Sequence, residues 1–124
     1  MTRNNLRLWI HVTLLAAGSV LLFLGGPGYD SSRSFKHFWD IGHIVYFALL
    51  ADLLARQRVI NQMPVAGHWT AILVITLIAG VSIEFLQYGT ARTPDIGDVL
   101  RDLTGSLLVL VFGAGGSALK PVIW

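Results

Sequence analysis

The sequence predicts an all-α, polytopic membrane protein built as a bundle of four transmembrane helices. Of its 124 residues, 54% are hydrophobic and only 13% are charged, and the mean hydropathy is +0.65. Ordinary soluble domains carry about 25% charged residues, so this chain lacks the polar groups that a water-facing surface of its size needs. The second observation is a set of four apolar stretches, each long enough to cross a hydrocarbon core of about 30 Å as a helix.

The four predicted helices are separated by short polar segments. They cover residues 6–24, 38–55, 69–88 and 96–119, and we assign them to a single domain that spans residues 1–124. Lipid offers no hydrogen-bonding partners to backbone N–H and C=O groups, so apolar spanning segments are helical. Runs such as LLAAGSVLLFL do not alternate between polar and apolar residues, as the strands of a membrane barrel would.

The first apolar stretch has an alternative interpretation as a cleaved signal peptide. Arg3 and Arg7 resemble the positively charged start of such a peptide. The apolar run has about 18 residues, however, whereas the hydrophobic region of a signal peptide has about 7–15. No small-residue cleavage site precedes the Pro27 region. We therefore expect an uncleaved helix.

Lysine and arginine in the short connections predict the orientation of the bundle. The side with more of them faces the cytoplasm, and we therefore expect both termini there, in the inner (cytoplasmic) membrane. The four tryptophans lie within a few residues of predicted helix ends, where their rings favour the interface. One side carries Arg3, Arg7, Arg56, Arg58 and Lys120, and the other carries Arg33, Lys36 and Arg92.

The polar residues of the spans collect on the extracytoplasmic side. Because the helices alternate in direction, the start of the second, the end of the third and the start of the fourth lie together. A charged side chain facing lipid at mid-bilayer costs at least about 2.5–3.5 kcal/mol, so we expect these groups to point toward one another. The predicted ligand-binding residues are Asp40, His43, Glu84, Gln87, Arg92, Asp98, Arg101 and Asp102.

This patch has two interpretations. It is either a functional pocket or a network of ion pairs and hydrogen bonds that only holds the helices together. The sequence lacks the H-E-x-x-H, phosphate-loop and G-x-S-x-G motifs, and one histidine with carboxylates is weak support for a metal site. We therefore predict no metal and no cofactor. Cysteine is absent, and a net charge of +2 without a basic run does not indicate nucleic-acid binding.

The remaining ionisable residues are predicted to be structural. We expect His11 to be an interfacial residue and Asp52 to reach water or Arg56, four residues on. His37 and His68 lie near predicted helix ends and are expected to be solvated. Several glycines of the last helix are expected to allow close helix approach or bending: Gly105, Gly113, Gly115 and Gly116.

Three motifs resemble the VanZ-like family of small bacterial membrane proteins. DIGHIVYFALL, residues 40–50, is similar to the family's Asp, His and aromatic residues that open an early helix. IEFLQ, residues 83–87, is similar to its Glu-x-x-Gln at a helix end, and RTPDIGDVLRDLTG, residues 92–105, to its third conserved segment. The order and separation of the motifs match over roughly residues 38–110.

The third motif also carries a departure from the family pattern. Arg92, Asp98 and Gly105 stand where the family has Arg, Asp and Gly, but Asp102 stands where it has Asn. The change adds a negative charge and removes an amide donor. A second departure lies in the first motif, where Ile41 stands at a position at which the family often has Lys.

The resemblance implies a protein of the bacterial cell envelope. The name-giving member of the family is associated with low-level resistance to the glycopeptide antibiotic teicoplanin, and most members have no assigned activity. Together with the polar patch, this leads us to expect an outer-face pocket for the head group of a membrane lipid, a lipid-linked cell-wall precursor or a glycopeptide. Arg92 and Arg101 would contact its phosphate or carboxylate.

Two other functions compete with binding. In a membrane enzyme that acts on an outer-leaflet lipid, His43 or Glu84 would be the general acid or base, but no nucleophile is evident and the sequence leans against catalysis. In a small transporter, buried His and Glu would relay protons. The cytoplasmic halves of the helices are apolar, so such a path would require an oligomer.

Overall fold

The computed structural model describes residues 2–24, 31–88 and 95–114, and these ranges are helical almost throughout. No β-strand occurs within them, which confirms the all-α prediction. The elements are α1 (Arg3–Leu24), α2 (Arg33–Ala55), α3 (Arg58–Asn61), α4 (Val65–Gln87) and α5 (Ile96–Val109), and α5 continues into a π-helical turn, Leu110–Ala114.

Three of these helices are long and apolar enough to cross a membrane: Arg3–Phe23, Arg33–Ala55 and Val65–Gln87. Large apolar side chains also cover the outside of the bundle, as at Phe85, which is 78% exposed. Such a surface suits contact with lipid chains and is consistent with a multi-pass membrane protein. The fourth predicted span, residues 96–119, is described only as far as Ala114.

α2 and α4 begin five and four residues before their predicted starts. The Ser32 hydroxyl caps α2 by accepting a hydrogen bond from the Phe35 N–H at 3.2 Å, which satisfies one of the free donors of the first turn. Pro64 precedes the first residue of α4. Hydropathy missed these turns because polar residues such as Arg33 and Lys36 lie outside the apolar runs although they are helical.

The most extensive packing joins α2 to α5, and α4 packs against α5. Gly105 of α5 allows this approach, because a Cβ at that position would collide with the Ile44 carbonyl oxygen of α2. The prediction of close helix approach at Gly105 is therefore confirmed. α1 contacts mainly α2 and lies on the outside of the other helices.

The buried faces of α2, α4 and α5 change character along the bundle. One half, where α2 and α5 begin and α4 ends, buries polar side chains: His43, Thr76, Glu84, Gln87, Asp98, Asp102 and Ser106. The other half is an apolar core that includes Ala51, Ile72 and Leu110, all fully buried. Apart from His68, near the start of α4, the buried polar side chains of the described residues thus lie at one end and in the middle of the bundle.

Candidate functional site

His43 lies at the centre of the polar half and is fully buried. Its Nδ1 is 2.9 Å from Asp102 Oδ1, and its Nε2 is 3.9 Å from Asp98 Oδ2. A carboxylate can only accept a hydrogen bond, so Nδ1 carries a proton and donates it to Asp102. Within the described ranges Nε2 has no hydrogen-bond partner. The imidazole therefore has one buried polar atom without a hydrogen-bond partner in this part of the chain.

The helix geometry of α5 sets this arrangement. Asp98 and Asp102 are four residues apart and share the face that packs on α2, and Gly105 one turn further brings the two backbones together. The second oxygen of Asp102 lies against Gly80 of α4, where an added Cβ would be only 2.7 Å away. That oxygen is buried and has no hydrogen-bond partner in the described part of the chain.

Arg101 lies at the rim of the site, with about a third of its side chain exposed. Its Nε is 3.4 Å from Asp40 Oδ1 of α2, and one terminal nitrogen is 3.6 Å from Asp95 Oδ2. The same nitrogen donates a hydrogen bond to Asp98 Oδ1. Three carboxylates thus surround one guanidinium. Through Asp40, Arg101 connects the start of α5 to the start of α2.

Glu84 and Gln87, both buried at the end of α4, fasten the neighbouring elements. Glu84 Oε2 accepts a hydrogen bond from the Asp95 N–H at 2.8 Å. Gln87 Nε2 donates to the Leu22 carbonyl oxygen of α1, also at 2.8 Å. Glu84 therefore contacts the N-cap residue of α5, and Gln87 contacts α1.

Carboxylates are the most numerous ionisable groups in the described part of the site. Among the described residues, one guanidinium (Arg101) and one imidazole (His43) face five carboxylates: Asp40, Glu84, Asp95, Asp98 and Asp102. Arg92, the remaining predicted site residue, lies outside the described residues. In the described ranges, no group of three or more His, Cys, Asp or Glu side chains is arranged to hold a metal ion.

A cavity of about 150 Å³ opens beside His43, between α1 and α2. α1 contributes Gly18, Leu21 and Leu22 to its wall. α2 contributes Phe38, Trp39, Gly42, His43 and Tyr46. Apart from His43, the wall is largely apolar, so the polar site adjoins a space suited to hydrocarbon.

Comparisons with protein-family models, with curated proteins and with solved structures find no match in any of the three. The function is therefore inferred from the geometry of the site and from the motifs that carry the family resemblance.

The structure adds three residues to the predicted set. Asp95 was not selected, although an Asp directly before a helical run is a typical N-cap, and its side chain accepts a hydrogen bond from the Gly97 N–H at 2.8 Å. Thr76 and Ser106 also join the buried polar residues, with their hydroxyl oxygens 2.9 Å apart. The prediction for His68 is wrong: it is buried, and its Nδ1 donates to the Ile60 carbonyl oxygen.

Proposed function

We propose that this protein is a four-helix protein of the bacterial cytoplasmic membrane, similar to the VanZ-like family, that binds the head group of a lipid or of a lipid-linked cell-wall precursor. The binding site is the acidic network around His43 at the extracytoplasmic end. The association of the family with teicoplanin resistance suggests a role in the cell envelope. The observation that supports binding is a fully buried His43 whose Nε2 has no hydrogen-bond partner among the described residues, with the carboxylates of Asp98 and Asp102 beside it.

The fourth span is part of this proposal. α5 begins at the polar end of the bundle, packs along α2 and α4, and continues through a π-helical turn to Ala114. The predicted span extends five residues further, to residue 119. Both termini then lie on the cytoplasmic side, in agreement with the excess of Lys and Arg there.

The charge of the site favours a head group that carries an amine. Asp40 and Asp95 are partly exposed, with 30% and 59% of their side chains accessible, and they offer oxygens to an incoming ammonium. Charge-assisted hydrogen bonds of this kind are about twice as strong as neutral ones. An anionic group would have to compete with three carboxylates for Arg101. This differs from the role that the sequence predicted for Arg101, as a contact to phosphate or carboxylate.

A second candidate is a general-base role for His43 in an enzyme that acts on the bound lipid. The observation that favours it is the Asp102–His43 pair, because a carboxylate on Nδ1 orients the ring and leaves Nε2 to accept a proton. Incubation of the purified protein with defined phospholipids, followed by mass spectrometry of the extract, tests this role. A converted lipid that is lost in His43→Gln would support it, and no converted species would count against it.

Native mass spectrometry in detergent tests the binding proposal. The probes are dioleoyl phosphatidylethanolamine, which carries an amine, and dioleoyl phosphatidylglycerol, which does not. We expect the wild-type protein to retain the first lipid preferentially, and Asp98→Asn to lose that preference because a carboxylate of the site becomes neutral.

The matched control is Asp52→Asn, since it makes the same substitution in a carboxylate at the other end of α2. It should keep the preference of the wild-type protein. Equal retention of the two lipids by the wild-type protein, or an unchanged preference in Asp98→Asn, would overturn the proposal. Melting curves of all variants in the same detergent show whether each is folded.

A further inference from the structure

The cavity between α1 and α2 is placed and shaped to hold hydrocarbon. Its volume is about 150 Å³, and apolar cavities of about this size stay dry and take up small apolar molecules. A water molecule occupies about 30 Å³ in the liquid, and a methylene group takes a similar volume, so about five carbons of a chain would fill the space. A head group would be too polar for most of this wall.

Two glycines create the space. An added Cβ at Gly42 would meet no heavy atom within 4 Å, so the helix surface there is open. At Gly18, an added Cβ would lie 2.6 Å from the ring of Tyr46, so this glycine lets that ring lie against α1. The Tyr46 hydroxyl is bound to the Ser19 hydroxyl at 2.8 Å. The polar tip of Tyr46 is therefore satisfied, and its ring serves as apolar wall.

The helices around the cavity favour a lipid chain as its ligand. α1 and α2 are both long and apolar enough to cross a membrane, and large apolar side chains on their outer surfaces, such as Val20 and Ile41, are exposed. The cavity is partly open, and it lies within the same half of α2 as the acidic network. A lipid whose head group lies at Asp40 and Asp98 therefore has a place for a chain next to His43.

We propose that this cavity holds part of an acyl chain, so that the ligand of the site is an amine-bearing phospholipid held by both its head group and its chain. The inference rests on the proposed function for the head group, but the chain site is defined by its own residues. His43 is where the two parts meet, since it belongs to the acidic network and also lines the cavity.

Photo-crosslinking tests the position of the chain. The protein is reconstituted in phosphatidylcholine nanodiscs with a small fraction of phosphatidylethanolamine that carries a diazirine on one acyl chain. After irradiation, labelled peptides are mapped by mass spectrometry. We expect labels on the less exposed residues of the cavity wall, Leu22 and Tyr46, above the level on equally covered residues of α4.

Gly42→Leu places a side chain in the cavity, since an added Cβ there would meet no heavy atom within 4 Å, and leucine favours the helix more than glycine does. We expect this variant to lower the labelling of the cavity wall by at least about fivefold, because a chain forced into a filled space is overpacked. Gly42→Ala should give a smaller loss. The control is Gly67→Leu, which places the same side chain on α4 beside Met63 and Pro64, away from the cavity.

The outcomes separate this inference from the proposed function. Labels spread evenly over the lipid-facing surface, or labelling unchanged in Gly42→Leu, would overturn the chain site even if phosphatidylethanolamine is preferred in native mass spectrometry. The same diazirine chain on phosphatidylglycerol gives the converse test. If it labels the cavity equally well, the chain site stands and the head-group proposal fails.

Discussion

The two ends of the bundle use the same side-chain types in different ways. At one end, His43 is fully buried and donates to Asp102 on another helix. At the other end, His11 Nε2 is 2.9 Å from Asp52 Oδ2, and Arg56 donates to both oxygens of the same carboxylate at 2.9 and 3.0 Å. All three side chains of this second cluster are partly exposed, between 19% and 28%.

The two clusters differ in burial more than in the types of side chain they contain, and burial sets how much stability is lost when a pair is broken. When a partly exposed ion pair is broken, solvent replaces the lost partner and little stability is lost. When a buried pair is broken, the remaining charge has no replacement. The Asp52 cluster joins α1 to α2 through His11 but therefore adds little to the stability. The buried His43 network is costly to break, which is consistent with the proposal that it has a role beyond holding the helices together.

The largest expected effect comes from removing one partner of the buried pair. We expect His43→Leu to lower the free energy of unfolding by about 3–5 kcal/mol, because Asp102 is left buried without its donor. Unfolding in mixed detergent micelles, followed by circular dichroism, measures the change. The double variant His43→Leu/Asp102→Leu should recover most of the loss, since an apolar pair leaves no buried charge.

The matched variant at the other end is His11→Leu, which we expect to cost less than about 1 kcal/mol. Equal losses for His43→Leu and His11→Leu would contradict the distinction between the two ends. Failure of the double variant to recover would also count against it, since the cost would then come from lost packing and not from the unpaired carboxylate.

The second prediction concerns the helix contact that holds the buried network together. Gly105→Ala places a Cβ against the Ile44 carbonyl oxygen, so α2 and α5 must move apart. We expect a loss of about 1–3 kcal/mol, which is typical of overpacking, and a weaker preference for phosphatidylethanolamine, because the contact between His43 and Asp102 depends on this approach. Unfolding in mixed micelles and native mass spectrometry measure the two effects.

The control for this variant is Gly67→Ala, where an added Cβ makes only ordinary contacts, 3.5 Å or more, with Met63 and Pro64. It should be neutral or stabilising by up to about 1 kcal/mol, because alanine favours a helix more than glycine does. A Gly105→Ala protein as stable as Gly67→Ala would show that α2 and α5 are not held together at this point.

The helices and some side-chain contacts at both ends of the bundle could be predicted from the sequence. Hydropathy predicts the three membrane-length helices, because the cost of exposing polar groups to lipid is large. The pairing of Asp52 with Arg56 follows from their four-residue spacing on one helix. His43, Asp98 and Asp102 come together because α2 and α5 both begin at the same end, which alternation of direction predicts.

The parts that sequence reasoning missed depend on three-dimensional packing. The contact of His11 with Asp52 depends on how α1 packs against α2. The burial of His68 depends on the short helix α3, which no apolar stretch in the sequence indicates. The cavity beside Gly42 depends on how α1 crosses α2. Asp95 was overlooked because its role is set by its position as the N-cap of α5 and by Glu84, eleven residues earlier.

The smallest change in stability is expected at the partly exposed Asp52 cluster, and it should depend on salt. Asp52→Asn removes the charge that Arg56 and His11 share, and we expect a loss of less than about 1 kcal/mol at low ionic strength. Raising the salt from about 0.01 M to about 1 M shortens the screening length from about 30 Å to about 3 Å, so the wild-type protein and Asp52→Asn should converge in stability. The difference between the wild-type protein and His43→Leu should persist across the same range, because buried pairs are screened much less. A salt-independent loss in Asp52→Asn would show that this carboxylate acts as a buried partner, and the two ends would then be alike.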